Sequence, residues 1–264
     1  MIFNKTPLGS KKSEILQLNT TFVTHHSSEL MKDILETLFL QFPFDNNSYE
    51  SVICGEKFIG IMLKNGSIGV ASTLSEKMPH NILKALANPD FSNYSNRILV
   101  NAWVNACVNH TEKITGTGDI FEAISFNKFK NVVMVGYFGS LAQKFNSQDL
   151  ELTIFDLNEH EKPVEPMENQ QQYIEKADCV ILTSTSIANG TFCNLISFIK
   201  ENCKVYLLGP STPLSCSVME LFPVNGIFGA RFKPFDFEVL NAIEAGGGTR
   251  AFLANMQKVY ILNE

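Results

Sequence analysis

The chain has 264 residues, 45% apolar and 18% charged, with a formal net charge of −6. An ordinary apolar fraction with few charges excludes a mainly disordered chain, a coiled coil and a collagen-like fibre. With 21 basic against 27 acidic residues and no Lys/Arg-rich tract, the basic face of a duplex nucleic-acid reader is missing as well.

Taken in chain order, Thr20–Thr24 reads as a strand. Residues 27–41 put Leu30, Ile34, Leu38 and Phe39 on one helical face, with Ser27 or Ser28 able to cap the start. Phe58–Leu63 and Ile68–Leu74 flank Asn65-Gly66, a hairpin signal because both residues tolerate positive φ. Residues 75–96 hold Pro79, Pro89 and several Asn and Ser, which predicts a loop-rich connection with a short helix at Asn81–Ala87. Residues 97–110 repeat apolar positions at helical spacing. This half predicts a small α+β domain over residues 1–125.

From Asn131 the rhythm changes, and residues 126–264 predict a second domain. Apolar runs at Val132–Val135, Leu152–Phe155, Cys179–Leu182, Val205–Leu208 and Gly226–Phe228 alternate with helix-like segments. Those segments are Leu141–Phe145, Gln170–Lys176, Phe192–Asn202 and Leu214–Phe222. Such alternation predicts a doubly wound parallel sheet. Asp236 is placed to cap a helix through Ala245 that Gly246 ends, and Lys258–Leu262 to form a last strand at a sheet edge.

No stretch reaches the ~18 apolar residues of a membrane span, and Met1–Leu18 has no apolar stretch long enough for a signal peptide. The expected home is the cytoplasm. The six cysteines show no CxxC spacing and read as reduced structural thiols, with Cys179 a buried small hydrophobe.

In a doubly wound sheet, ligands sit outside the carboxyl ends of the strands. The residues that follow the strands are therefore the candidates: Gly136-Tyr137-Phe138-Gly139, Asp156-Leu157-Asn158-Glu159, Thr183-Ser184-Thr185-Ser186 with Asn189-Gly190-Thr191, and Gly209-Pro210-Ser211-Thr212-Pro213. Gly136 and Gly139 form GxxG rather than the dinucleotide GxGxxG, yet Asp156 lies where a ribose-binding carboxylate would. Thr212 with Pro213, and Asn189-Gly190-Thr191, read as helix starts whose free N–H groups attract anions. Gly246-Gly247-Gly248-Thr249-Arg250 has more glycine than a helix end needs, and Arg250 offers a fork for a carboxylate or phosphate.

The strings VVMVGYFGSL (132–141), LTIFDLNE (152–159), ADCVILTSTSIANGT (177–191), LLGPSTPLS (207–215) and EAGGGTRAFL (244–253) follow one another as in the putative heavy-metal chelation family, which the chain resembles over about half its length. GEKFIGIMLKNGSIGVASTL (55–74) resembles that family's N-terminal domain. The resemblance implies an enolase-N-terminal-like α+β domain, then a Rossmann-like domain, with a site in the crevice between them. It carries over Gly136, Asn158, Thr185, Asn189, Gly190, Thr191, Pro210, Ser211, Thr212, Pro213, Gly246, Gly247, Gly248, Thr249 and Arg250. Tyr137, Phe138, Gly139 and Asp156 match the pattern loosely.

The residues themselves show no HExxH and no close Cys/His cluster. His25-His26 and Glu159-His160-Glu161 are the nearest approach, so a chelation role falls to a bound molecule that carries metal, or to no metal at all. The cofactor stays open between a heavy or transition metal ion and a metal-chelating small molecule. The leading expectation is an anionic or metal-chelating small molecule in the crevice, with Asp156, Glu159 and Glu56 as candidate acid-base groups if the protein is an enzyme. The alternatives are an enzyme using NAD or S-adenosylmethionine on Asp156, a carrier or sensor of metal, and a purely structural protein. Neither nucleic acid nor membrane is an expected partner. A homodimer is the commonest assembly open to a soluble chain.

Overall fold

A computed structural model describes residues 32–158 and 163–263. The expected strand Thr20–Thr24, the Ser27/Ser28 cap, His25, His26 and Glu159-His160-Glu161 lie outside these residues. Met1–Met31 and Lys32–Glu264 cluster as separate units, and every described residue belongs to the second.

Helix α1 (Ile34–Gln41) starts at Asp33, whose Oδ1 accepts from the N–H groups of Leu35 (2.9 Å) and Glu36 (3.1 Å). Strands β1 (Tyr49–Cys54), β2 (Phe58–Leu63) and β3 (Ile68–Ser72) form an antiparallel sheet in that order. The β2–β3 hairpin is present, but only Gly66 takes positive φ, at 86°. Asn65 instead accepts the Ser67 N–H on its side chain at 3.0 Å, an Asx-type bond that closes the turn locally. β1 has no clear apolar alternation and was not expected; pairing to β2 holds it in place.

The short helix expected at Asn81–Ala87 is present as α2 (Ile82–Ala87), with Asn81 its cap. Helix α3 (Tyr94–Val108) starts earlier than its apolar pattern because Asn93 caps it. It lies directly on β3. A Cβ at Gly69 would sit 2.0 Å from the Ala106 nitrogen and 2.3 Å from the Ala102 oxygen, so only glycine lets helix and strand approach this closely.

The remaining elements are β4 (Gly116–Thr117), α4 (Ile120–Ala123), β5 (Val132–Val135), α5 (Gly139–Ser147), β6 (Thr153–Phe155), α6 (Gln170–Lys176), β7 (Cys179–Thr183), α7 (Thr185–Ala188), α8 (Phe192–Ser197), β8 (Lys204–Leu208), α9 (Cys216–Leu221), β9 (Gly226–Arg231), α10 (Phe237–Glu244) and β10 (Gln257–Leu262). The sheet order is β4-β10-β9-β8-β7-β5-β6. β6, β5, β7, β8 and β9 run parallel, and β10 and β4 are added antiparallel. The doubly wound expectation is met with one amendment: β10 is not the edge, because β4 pairs outside it. The parallel strands follow the 2-1-3-4-5 order of flavodoxin-like folds, whose order reverses between β5 and β7.

Side chains alternate between the two faces of this sheet. Val133, Val135, Val180, Leu182, Val205 and Leu207 pack with α1, α3, α6, α8 and α9. Val132, Met134, Ile181, Tyr206 and Phe228 face the other way, where Ile120, Phe126, Leu141 and Phe145 cover them. Helix α10 packs its Val239, Leu240 and Ile243 against Phe58, Met62, Ile68 and Val70 around the small sheet. Among the described residues, the second face is therefore covered by α4, α5 and the single turn Phe126–Lys128, and these leave the β8–β9–β10 end open.

Candidate functional site

At that uncovered end lies a cavity of about 790 Å³, within the ~300–1,000 Å³ of small-molecule sites. Its floor is Leu208 at the end of β8 with Gly209 and Pro210 after it, Phe228 and Gly229 of β9, and Lys258 and Val259 of β10. Tyr137, Phe138 and the start of α5 form one wall, Gly118–Ile120 a second, and Thr249, Arg250, Leu253 and Met256 a third. It lies by the carboxyl ends of β5, β8 and β9, where the strand-end rule puts a ligand.

Gly136 makes the turn that points this wall inward. It has φ +93°, and a Cβ there would be 2.6 Å from Cβ of Thr183. Gly209 sits at φ +136° against Ser184 Oγ, with the Phe138 ring beyond it. Helix α5 opens on Phe138 without a side-chain cap, and its first residues, Gly139 and Ser140, line the cavity.

Three cations line this space: Lys144, Arg250 and Lys258. Opposite them is one carboxylate, Asp119, which pairs with Lys144 and caps α4 through the Phe121 N–H at 3.0 Å. Burial pushes the Asp119 carboxyl up. Its hydrogen bond and ion pair to Lys144, the Phe121 N–H and the charge of Lys258 outweigh that and hold it below the ordinary carboxylate range. Arg250 and Lys258 have no ion-pair partner among the described residues. Sequence reasoning missed Asp119, Lys144 and Lys258. Lys144 and Lys258 sit on elements that the sequence reveals, but only sheet order brings them to one rim. Asp119 with Glu122 makes a capping box that was legible and unused.

Of the residues singled out from the sequence, Tyr137, Phe138, Gly139, Gly209, Pro210, Thr249 and Arg250 line the cavity. The others sit elsewhere. The Asp156 carboxylate accepts from the N–H groups of Tyr137 (2.6 Å) and Asn158 (2.8 Å), tying the loop after β5 to the loop after β6. Thr183 Oγ1 lies 2.9 Å from Thr185 Oγ1, and Ser186 Oγ donates to the Thr183 carbonyl at 2.7 Å. Ser184 is buried beneath Gly209. The Asn189 carboxamide oxygen accepts from Thr191, and Gly190 lies against the Arg97 guanidinium.

Ser211-Thr212-Pro213 does not start a helix; α9 begins three residues later, at Cys216. The reason is burial. Ser211 Oγ accepts from the Ser72 N–H, and Thr212 Oγ1 lies 2.7 Å from the Gly209 carbonyl and 2.9 Å from that of Phe228. The loop is held against α3 and the β-strands. Gly246 and Gly247 close a Schellman motif on α10, their N–H groups donating to Ile243 and Ala242 at 2.9 Å each. Gly246 and Gly248 also pack against Glu56 and Lys57 of the β1–β2 turn. Glu56, a candidate acid-base group, is thus at that turn and not on the cavity wall.

Among the described residues, no group of three His, Cys, Asp or Glu side chains is placed to hold a metal ion. All six cysteines are free, and burial pushes every thiol up, Cys203 to about 11 and Cys107 to about 12. The donor set described here does not fit a protein-held heavy metal. No helix among the described residues is long and apolar enough to cross a membrane.

Fold and cavity together define a doubly wound α/β protein with an added antiparallel sheet and a cation-lined cavity at its strand ends. The chain belongs to the DUF364 family, described as putative heavy-metal chelation, whose model matches residues 119–262. Two solved structures share the fold. A DUF364 protein of unknown function from Pyrococcus horikoshii aligns with a TM-score of 0.75 at 16% identity, covering 88% of this chain and 99% of its own. One from Desulfitobacterium hafniense aligns at 0.71 with 20% identity, covering 88% and 98%. Among curated proteins nothing matches this sequence.

Proposed function

We propose that the protein binds a small anionic molecule in the cavity at the carboxyl edge of the sheet, against Lys144, Arg250 and Lys258. One observation carries this reading: three cations and a single carboxylate meet on one largely apolar cavity, in a chain whose overall charge is −6. Charges beside low-dielectric walls act more strongly than in open water. The uncapped start of α5 adds to the same field. In this reading any metal enters as part of the ligand, since the described side chains form no donor cluster. A nucleotide held by its ribose on Asp156 draws no support from this cavity, because Asp156 does not line it and its carboxylate ties the loops after β5 and β6 together.

The test is calorimetric titration of the purified protein with inorganic phosphate, beside the same titration of Arg250→Ala. Loss of a charge-assisted hydrogen bond should weaken binding about tenfold or more. An unchanged affinity in the variant, or no binding to the wild type, contradicts the proposal. Native mass spectrometry with elemental analysis of the same sample supplies the second readout. A nucleotide-sized mass would move the assignment to a cofactor enzyme.

A further inference from the structure

Resting on that reading, we infer that the ligand is an amphiphilic dianion: a phosphate monoester carrying a flat apolar body. The charge count comes first. Lys144, Arg250 and Lys258 supply three positive charges and Asp119 removes one, which leaves two on the cavity wall. A monoanion would leave one of these uncompensated, whereas a phosphate monoester, with its second pKa near ~6, is mainly dianionic at neutral pH. The second argument is space. A phosphate group fills roughly the room of two or three waters, at about 30 Å³ each. Most of the 790 Å³ is therefore left for a body.

The surface around that remaining space is apolar. Leu208 and Phe228 form its floor, Phe138 one side, and Leu253 and Met256 the other. Phe138, only partly buried, offers a ring that favours a planar partner at stacking or edge contact, while Phe228 beneath is packed on Tyr206 and Tyr260. Leu253 is 46% exposed, an apolar side chain left at the rim of the cavity. Arg250 shares its wall with Leu253 and Met256, and Lys258 lies on the floor beside β9, so charged and apolar surface adjoin along the cavity and a ligand covering both has two unlike parts.

The experiment is titration calorimetry at neutral pH with three probes: inorganic phosphate, phenyl phosphate and the monoanion phenyl sulfate. Phenyl phosphate should bind about tenfold more tightly than phosphate, the gain from burying part of a ring. It should also bind about tenfold more tightly than phenyl sulfate, the gain from a second charge. Asp119→Asn, which keeps a capping residue and removes the competing charge, should tighten all three. Leu253→Ser should lower the preference for phenyl phosphate over phosphate. Equal affinities for phosphate and phenyl phosphate would overturn the apolar body while leaving the anion reading intact. Phenyl sulfate binding as tightly as phenyl phosphate would overturn the dianion, and so would Asp119→Asn binding no more tightly than the wild type. No binding by any probe would overturn this inference and the anion reading together.

Discussion

Two polar regions of this protein use the same kinds of residues in opposite ways. Along α3, Asn101, Asn105 and Asn109 form a buried stripe at four-residue spacing. Asn109 accepts from the Leu214 N–H at 2.9 Å and donates to the Thr212 and Ala230 carbonyls at 3.3 Å. Asn101 donates to Ser211 and Asn105 to Val70. Arg97, 4% exposed on the same helix, donates to the Ile187 and Ala188 carbonyls at the end of α7 and pairs with Asp33 at 2.9 Å. In this seam the side-chain donors go mainly to the chain's own backbone, although the Asn101 and Asn105 carboxamide oxygens are buried without a partner. At the cavity, Arg250 and Lys258 are exposed and without an ion-pair partner among the described residues, and the uncapped start of α5 lines the same space. The seam therefore contributes stability, whereas the cavity's polar groups are left unused by the chain and are the ones we propose to serve a ligand.

The sharpest break in the comparison is Arg97→Met. It removes the ion-pair partner of Asp33, which keeps its helix-cap bonds, and the donor to the Phe91, Ile187 and Ala188 carbonyls. It should cost about 3 kcal/mol of unfolding free energy, the range for losing the charge-assisted bonds of a buried group. Urea denaturation measures it; a loss under ~1 kcal/mol would mean that the guanidinium contributes little. Next is Asn109→Ala, which orphans one donor and two acceptors and should cost about 2–3 kcal/mol. Asn101→Ala should cost only about 1 kcal/mol, because the Asn101 Oδ1 is already buried without a partner. Equal losses at the two positions would show that the bonds do not set the difference.

Much of the fold was legible for physical reasons that the same elements show. Val132–Val135, Cys179–Thr183 and Lys204–Leu208 are short β-rich runs between helical segments, and each became a parallel strand. Asn81 and Gly66 acted through local chemistry and were read correctly. Thr212-Pro213 misled because its helix-start chemistry was overridden by burial under α3, a tertiary effect no local pattern carries. Strands β1 and β4 were missed because one lacks clear alternation and the other is two residues long. For the cavity, the strand-end rule pointed to Tyr137, Phe138 and Pro210, and the glycine-rich string before it to Arg250. Lys144 and Lys258 are more than a hundred residues apart in sequence, and only the placement of β10 beside β9 joins them.

Acid should sharpen the contrast more gently. Asp119 has a folded-state pKa below its unfolded value. It therefore contributes stability that is fully present above the ordinary carboxylate range and is lost as pH falls through the folded value. The stability gap between wild type and Asp119→Asn should shrink on acidification in that window and stay flat from there to neutrality. A gap that widens in acid would reverse the sign assigned to Asp119.

The smallest expected change in stability is also the most telling. Lys258→Ala should leave unfolding free energy within about 0.5 kcal/mol, as for other exposed side chains. Titration of phenyl phosphate into wild type and Lys258→Ala, with unfolding followed on the same samples, tests directly whether the cavity's charges serve a ligand. The account predicts an affinity lower by about tenfold at unchanged stability. Unchanged affinity with a clear loss of stability would make Lys258 part of the fold and contradict it.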